Sequence, residues 1–235
     1  VARRTPPIRL AEPPRRAVRT GDVLLTHPVS CLHQPTLHRS VILLTDVDDE
    51  HVAGVVLNKR QDRTLGAAVG RKSTREMLGD ALCGLPLHTG GDVQEGLLLL
   101  LHKLGGLPGS TLVGDGLYVT PGVGEVRAAL EADGEHTAGP PRVKVVAGYA
   151  GWARHQLRAE LQRNVWFHAE AEDVAELAML TVAAEEEQEH TEADGGSSEL
   201  LRDAMWSSAV ASLGGEYAQL ARFPADRELV LEQLR

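Results

Sequence analysis

Aromatic side chains are scarce in this 235-residue chain, with three Trp, three Tyr and two Phe amounting to 3% of it. So few rings leave little on which to stack bases or sugars, which argues against a binder of single-stranded nucleic acid. The interior has to be built mainly from Leu, Val, Ile and Ala. Lys and Arg number 24 against 33 Asp and Glu, and the resulting net charge of -9 opposes general binding to polyanions, although a local basic patch can still make limited contacts. Only two cysteines occur, Cys31 and Cys83, neither in a CxxC pair, so a disulfide framework is excluded and reduced thiols are expected. No apolar run approaches the roughly 20 residues of a membrane-spanning helix. Even GLLLLLHKLGG is interrupted by His102 and Lys103, and a soluble protein is expected.

The generic nucleotide and hydrolase signatures are also missing. No GxxxxGK followed by Ser or Thr is present to cradle phosphates, GYAG lacks the paired glycines of a dinucleotide fold, and no GxSxG elbow presents a nucleophilic serine. No cofactor is expected, and an enzyme is the less favoured reading.

What is present is enough apolar sequence, 43%, for one substantial core. Residues 1–20, VARRTPPIRLAEPPRRAVRT, are rich in Arg and Pro with one acid, Glu12, and read as an extended basic arm compatible with the remainder of an organellar transit segment. From Gly21, the runs GDVLLT, SVILLT and AGVVLN predict three strands, with the acidic DVDDEH as the loop between the second and third. Residues 62–82 have helix-compatible stretches broken by Gly66, Gly70 and Gly79. LPLHTGGDVQEGLLLLLH then predicts strands around a Gly-Gly turn, GLYVT another strand, and GEVRAALEA a short helix with Val126 and Leu130 on one face. Residues 185–199, EEEQEHTEADGGSSE, read as a solvated acidic Gly/Ser insertion. Closing helices follow, with Gly214 and Gly215 at a C-cap and residues 225–235 as a helical tail.

Two stretches hold the chemistry-bearing side chains. HPVSCLHQPTLHR places His27, Cys31, His33 and His38 in one loop, and imidazole and thiolate are zinc donors. The spacing fits neither HExxH nor a paired CxxC, so ordinary solvated histidines are expected, with Cys31, His33 and His38 the candidates should a metal be held. Cys31 as a nucleophile would need a base within hydrogen-bond reach, which nearness in sequence does not supply. GYAGWARHQL, residues 148–157, reads as the turn of a strand-turn-helix unit, with Ala153, Leu157 and Leu161 as the buried stripe and Trp152 capping the core. Either an anion sits at the helix start with Arg154, or Gly148 and Gly151 make a tight corner packed on the sheet; the corner is the favoured reading.

The ordered series GDVLLTHP, LHRSVILLT, AGVVLNKR, TGGDVQ, LLLLLH, GLYVT, GYAGWARHQLRAEL and NVWFHAEA resembles the AlgH/YqgE family, and LGGEYAQLA is similar to the tail of its plant and algal members. The resemblance covers residues 21–224. It implies a single α+β domain of coiled and branched, mostly antiparallel sheets flanked by helices. It also carries over Arg39, Asn58, Gly90, Gly91, His102, Gly148, Gly151, Trp152, Gln156, Leu157, Asn164 and Trp166 as pattern residues. Lys59 and Arg60 depart from the usual basic-then-Pro continuation, and His155 stands where a glycine is usual. The family has no settled reaction, metal or cofactor. Three readings follow, in order of preference. The first is a non-enzymatic interaction module, an accessory or regulatory subunit of an organellar protein or ribonucleoprotein assembly, in a plastid before a mitochondrion, with limited RNA contact through the arm. The second is an enzyme or binding protein for a small anionic metabolite, using Arg39, Asn58, His102, Gly148, Gly151, Trp152, Arg154 and Gln156. The third is a transcriptional regulator.

Overall fold

The runs of β-branched and leucine residues at 23–26 and 41–47 are apolar at successive positions, a pattern for strands covered on both faces. In the computed structural model, which describes residues 7–12, 16–32, 34–133, 142–180 and 197–233, they are such strands. Val23, Leu25, Val41 and Leu43 point into one core, and Leu24, Ile42 and Leu44 into another.

Eleven strands form among the described residues: β1 (Ile8–Leu10), β2 (Val23–Thr26), β3 (Val41–Val47), β4 (His51–Val56), β5 (Arg60–Thr64), β6 (Pro86–Thr89), β7 (Val93–His102), β8 (Thr111–Gly114), β9 (Leu117–Thr120), β10 (Val143–Ala153) and β11 (Trp166–Ala171). Their order is β1-β11-β2-β3-β4-β10-β7-β9-β8, with β5 and β6 branching from β10. All pairs are antiparallel except β6 with β10. The helices are α1 (Leu65–Ala68), α2 (Lys72–Cys83), α3 (Val123–Asp133), α4 (Arg154–Gln162), α5 (174–180), α6 (Ser197–Ser212), α7 (Tyr217–Leu220) and α8 (Arg227–Gln233). The fold is α+β with branched sheets.

The three cores follow from this arrangement. One lies under α5 and α6, whose Leu177, Ala178, Trp206, Ala209 and Val210 meet the inward residues of β2, β3, β4 and β11. A second lies on the opposite face under α4, and a third beneath α1–α3 on β6, β7 and β10. The β3–β4 hairpin turns at Asp48, whose Oδ1 accepts the N–H groups of Glu50 and His51, both at 2.7 Å. Gly79 lies inside α2 at φ +72 and kinks it, so only part of the expected glycine interruption breaks the helix.

Two expectations are corrected. Residues 148–153 are not a turn: they continue β10, and the helix starts at Arg154. The reason is long-range pairing, because β7 takes residues 143–149 of β10 and β4 takes 150–153. Nor is Gly90–Gly91 a hairpin turn. It joins β6 and β7, which pair with β10 in different directions and leave the connection to cross that strand.

The segment expected as an arm is, over its described residues, part of the sheet. Ile8–Leu10 pair with β11, and Ile8 and Ala11 are buried. Pro and Arg masked this short strand in the sequence. Arg16 forks onto Asp22 at 2.7 and 2.6 Å and reaches Glu170 at 2.6 Å, while His168 Nε2 donates to Asp22 at 2.7 Å. The acidic stretch expected as an insertion lies, through residue 196, outside the described residues, as do residues 1–6 and 13–15.

Burial alone would raise the Asp22 carboxyl, but hydrogen bonds from His168 and Arg16 prevail and hold it below the ordinary carboxylate range. Glu170 is lowered in the same sense by its bond from Arg16. An acid that is stronger folded than unfolded contributes fully above the ordinary value of about 4. The contribution is then lost as pH falls through the folded value. Asp22→Asn should therefore cost about 3 kcal/mol at neutral pH by leaving Arg16 half-matched, and should flatten the acid limb of a stability–pH curve measured by urea unfolding. An acid limb as steep as that of the parent protein would refute this assignment.

Candidate functional site

The first turn of α4 is set by β10, which ends with Trp152 pointing into the second core and hands the chain on at Arg154. Its N–H donates to the Glu50 carbonyl at 2.8 Å, and its guanidinium donates to the Asp48 carbonyl, fastening the helix to the β3–β4 hairpin. Leu157 is buried as its stripe position predicts. Glu160, one turn further, is buried too. Its Oε2 accepts the indole N–H of Trp152 at 3.0 Å and of Trp166 at 2.7 Å, and its Oε1 accepts Gln156 Nε2 at 2.9 Å. The two indoles meet edge to face with centroids 5.6 Å apart. Three of the pattern residues, Trp152, Gln156 and Trp166, thus converge on one carboxylate that the sequence reading missed. The available signal was a Glu three residues after Leu157, on the buried side of an otherwise polar helix. Asn164, at φ +55, then turns the chain from α4 toward β11.

The glycines have a different role. The connection Gly90–Gly91 lies against Gly148–Tyr149, and a Cβ on Gly90 would stand 2.2 Å from the Gly148 oxygen, one on Gly91 2.0 Å from the Tyr149 carbonyl carbon. Gly148 itself sits at φ +73 where the β7–β10 register shifts, a bulge that bends β10 under the crossing. Gly151 is farther along, against the Tyr149 ring.

Arg39, Asn58 and His38 lie apart from α4, where the C-terminal segment docks. Arg39 is buried at φ +49, with its guanidinium 4.8 Å from the centre of the Trp206 ring and donating to the Phe223 carbonyl. Asn58 holds that backbone in place: Oδ1 accepts Val41 N–H at 2.9 Å and Nδ2 donates to the Arg39 carbonyl at 2.8 Å. His38 Nε2 donates to the Ala225 carbonyl at 3.1 Å, leaving Nδ1 to accept from Ser30 Oγ at 3.0 Å. Among the described residues no three His, Cys, Asp or Glu side chains are grouped to hold a metal; the Cys31 side chain and His33 lie outside them. The Lys59 ammonium donates to the Thr36 carbonyl.

His102 is fully buried, stacked on Tyr118, and burial lowers its pKa, so the neutral ring prevails at neutral pH. Nδ1 accepts the Leu104 N–H at 3.4 Å, which puts the proton on Nε2 to donate to Ser110 Oγ at 3.0 Å. That tautomer cannot take a proton from Ser110, so the pair is not a nucleophile and its base. Sequence reasoning also missed Lys144 and His88. Both are buried, with Lys144 Nζ donating to the Leu57 carbonyl at 2.8 Å and His88 Nδ1 within 3.3 Å of the Val145 carbonyl.

The structure therefore separates the candidates into the α4 network, the glycine crossing, the C-terminal dock and His102. A cleft of about 1140 Å³ opens beside α4, between it, the hairpin at 49–51 and the segments 10–12 and 16–18. Arg154 and His155 line it; Gln156, Gly148 and Trp152 do not. No helix among the described residues is long and apolar enough to cross a membrane.

Residues 23–218 match the AlgH-like family. A UPF0301 protein of Bacteroides fragilis is 27% identical over 204 residues, spanning 87% of each chain. Another, of Chlorobaculum tepidum, is 30% identical over 208 residues, or 88% of this chain and 93% of the relative. The solution structure of the AlgH protein from Pseudomonas aeruginosa shares the fold with a TM-score of 0.56 at 21% identity, covering 88% of this chain and 95% of that one.

Proposed function

The chain belongs to the AlgH-like family, and from that premise we propose that it is a non-enzymatic interaction module, an accessory or regulatory subunit of a larger protein assembly. The observation that carries this is the C-terminal helix α8. Val230 is fully buried, while its neighbours Leu229 and Leu231 are 51% and 38% exposed, so the helix is anchored by one apolar residue and offers two more outward. Exposed leucines on a docked terminal helix suit a protein partner. The polar pattern residues support the same reading from the other side, because Arg39, Asn58, His102 and Gln156 are all bonded within the chain.

Leu229→Asp/Leu231→Asp in the full chain should reduce recovery of co-purifying subunits from the native cell by tenfold or more without lowering the melting temperature. Unchanged recovery would count against the module. The finer reading places the assembly in an organelle, a plastid before a mitochondrion, with limited RNA contact through residues 1–20. It rests on the Arg- and Pro-rich composition of that stretch, and imaging a fluorescent fusion of the full-length protein in its native cell tests the location.

A further inference from the structure

Charge is spread unevenly along the chain, and one stretch reverses its sign. Acids outnumber bases by 33 to 24 overall, yet residues 63–75 carry Arg63, Arg71, Lys72 and Arg75 and no Asp or Glu. The stretch runs from the end of β5 through the single turn of α1 into the start of α2, and α1 packs against both neighbours. So short a path keeps the four side chains in one region, and all four residues are exposed.

The fold gains nothing from them. Lys72 and Arg75 stand three positions apart and Arg71 and Arg75 four apart, spacings at which like charges on a helix are neighbours and repel. Cations at the start of a helix also oppose its dipole. Of the four, only Lys72 is ion-paired among the described residues, to the exposed Glu76 at 3.8 Å. Arg63 donates to Gln61 Oε1 at 2.9 Å, a neutral acceptor. Cations that repel one another and go without a counter-charge break a local rule at a cost to the fold, which marks a surface kept for an anionic partner.

Between an acidic protein segment and a nucleic acid, the chain favours the first. No aromatic residue falls within the stretch to stack on a base. A duplex extends past four cations onto a protein whose net charge is -9, whereas a short acidic segment ends where the patch ends.

We propose that the surface formed by Arg63, Arg71, Lys72 and Arg75 docks a short acidic segment of a partner protein. This rests on the reading of the chain as a subunit of a protein assembly and names the chemistry of a second contact, on elements other than α8.

The test uses the full-length protein and three probes: a peptide of ten glutamates, its ten-glutamine counterpart and a twelve-base-pair DNA duplex. Titration calorimetry at low salt should show the glutamate peptide binding at one site, more tightly than the glutamine peptide or the duplex, and weakening about tenfold as salt rises from about 50 to about 500 mM. Arg71→Gln/Arg75→Gln should weaken it at least tenfold, with a melting temperature equal to the parent's or higher because two repelling charges are gone. Arg163→Gln/Arg222→Gln, which removes as much positive charge from exposed positions elsewhere, should bind the peptide as the parent does. Leu229→Asp/Leu231→Asp should also bind it unchanged, so a failure here is distinct from a failure of the α8 reading. The proposal is overturned if the glutamate peptide fails to bind, if Arg71→Gln/Arg75→Gln binds it as the parent does, or if the duplex binds as tightly. It is overturned too if the peptide binds only after the acids of residues 185–194 are neutralised, which would assign the surface to the chain's own acidic run.

Discussion

Gly91→Ala should leave little or no folded protein. The added methyl would stand 2.0 Å from the carbonyl carbon of Tyr149, 2.2 Å from its oxygen and 2.3 Å from the nitrogen of Ala150. All three atoms are backbone, so no rotamer change can relieve the collision. The backbone struck is β10, which pairs with β4, β6 and β7, so moving it disturbs both halves of the sheet. Neighbouring Gly90 ties the crossing down, with its N–H donating to the Ala147 carbonyl at 2.7 Å and its carbonyl accepting from Val56 at 2.8 Å. Overpacking in a rigid core ordinarily costs about 1–3 kcal/mol. A backbone clash at three atoms belongs at or above the top of that range, a large part of the roughly 5–15 kcal/mol that holds a domain together. Gly96→Ala in β7 is the control, because nothing lies within 4 Å of its would-be Cβ. It should fall within about 0.5 kcal/mol of the parent protein in urea unfolding. A Gly91→Ala protein that unfolds at the parent midpoint would remove the crossing as the reason for the glycines.

That crossing also marks where the sequence stopped being legible. The strands at 23–26, 41–47 and 51–56 could be read because their signals are local: β-rich apolar runs and an acidic turn between the second and third. The face of α4 carrying Leu157 was equally plain from its four-residue spacing. GYAGWA, by contrast, is a stretch of small residues between a strand and a helix, and read alone it looks like a turn. What makes it strand is β4, whose Val52–Gly54 pair with Ala150–Trp152 from about a hundred positions earlier in the chain. What makes its glycine necessary is Gly90–Gly91 lying across it, a contact that no local pattern encodes. Residues 8–10 failed for a related reason: between prolines and arginines, three residues carry too little periodicity to show that Ile8 would pair with Ala171. At the candidate site, the pattern residues were found but their partners were not. Arg39 needed Trp206 and Phe223, far along the chain, before its buried and left-handed position made sense.

Glu160 offers the second large effect, and a way to apportion it. Glu160→Ala removes the acceptor for two buried indole N–H groups and leaves space beneath α4. An unsatisfied buried donor costs about 1–3 kcal/mol, so the variant should lose about 3 kcal/mol or more in urea unfolding. The near-ultraviolet circular dichroism of the edge-to-face pair Trp152 and Trp166 should weaken in the same protein. Glu160→Gln keeps a carbonyl oxygen where both indoles can donate, and Gln156 can turn its amide to offer oxygen to the new NH₂ group. That variant should stay within about 1 kcal/mol of the parent if hydrogen bonding outweighs charge. The decisive comparison places Trp166→Phe in the Glu160→Ala background. Without the indole N–H there is one fewer orphaned donor, so the substitution should be less costly there than in the parent, by about 1 kcal/mol in the double-mutant cycle. Additive costs would mean that Glu160 is buried for its packing alone, and that the convergence of Trp152, Gln156 and Trp166 upon it contributes nothing to holding α4 in place.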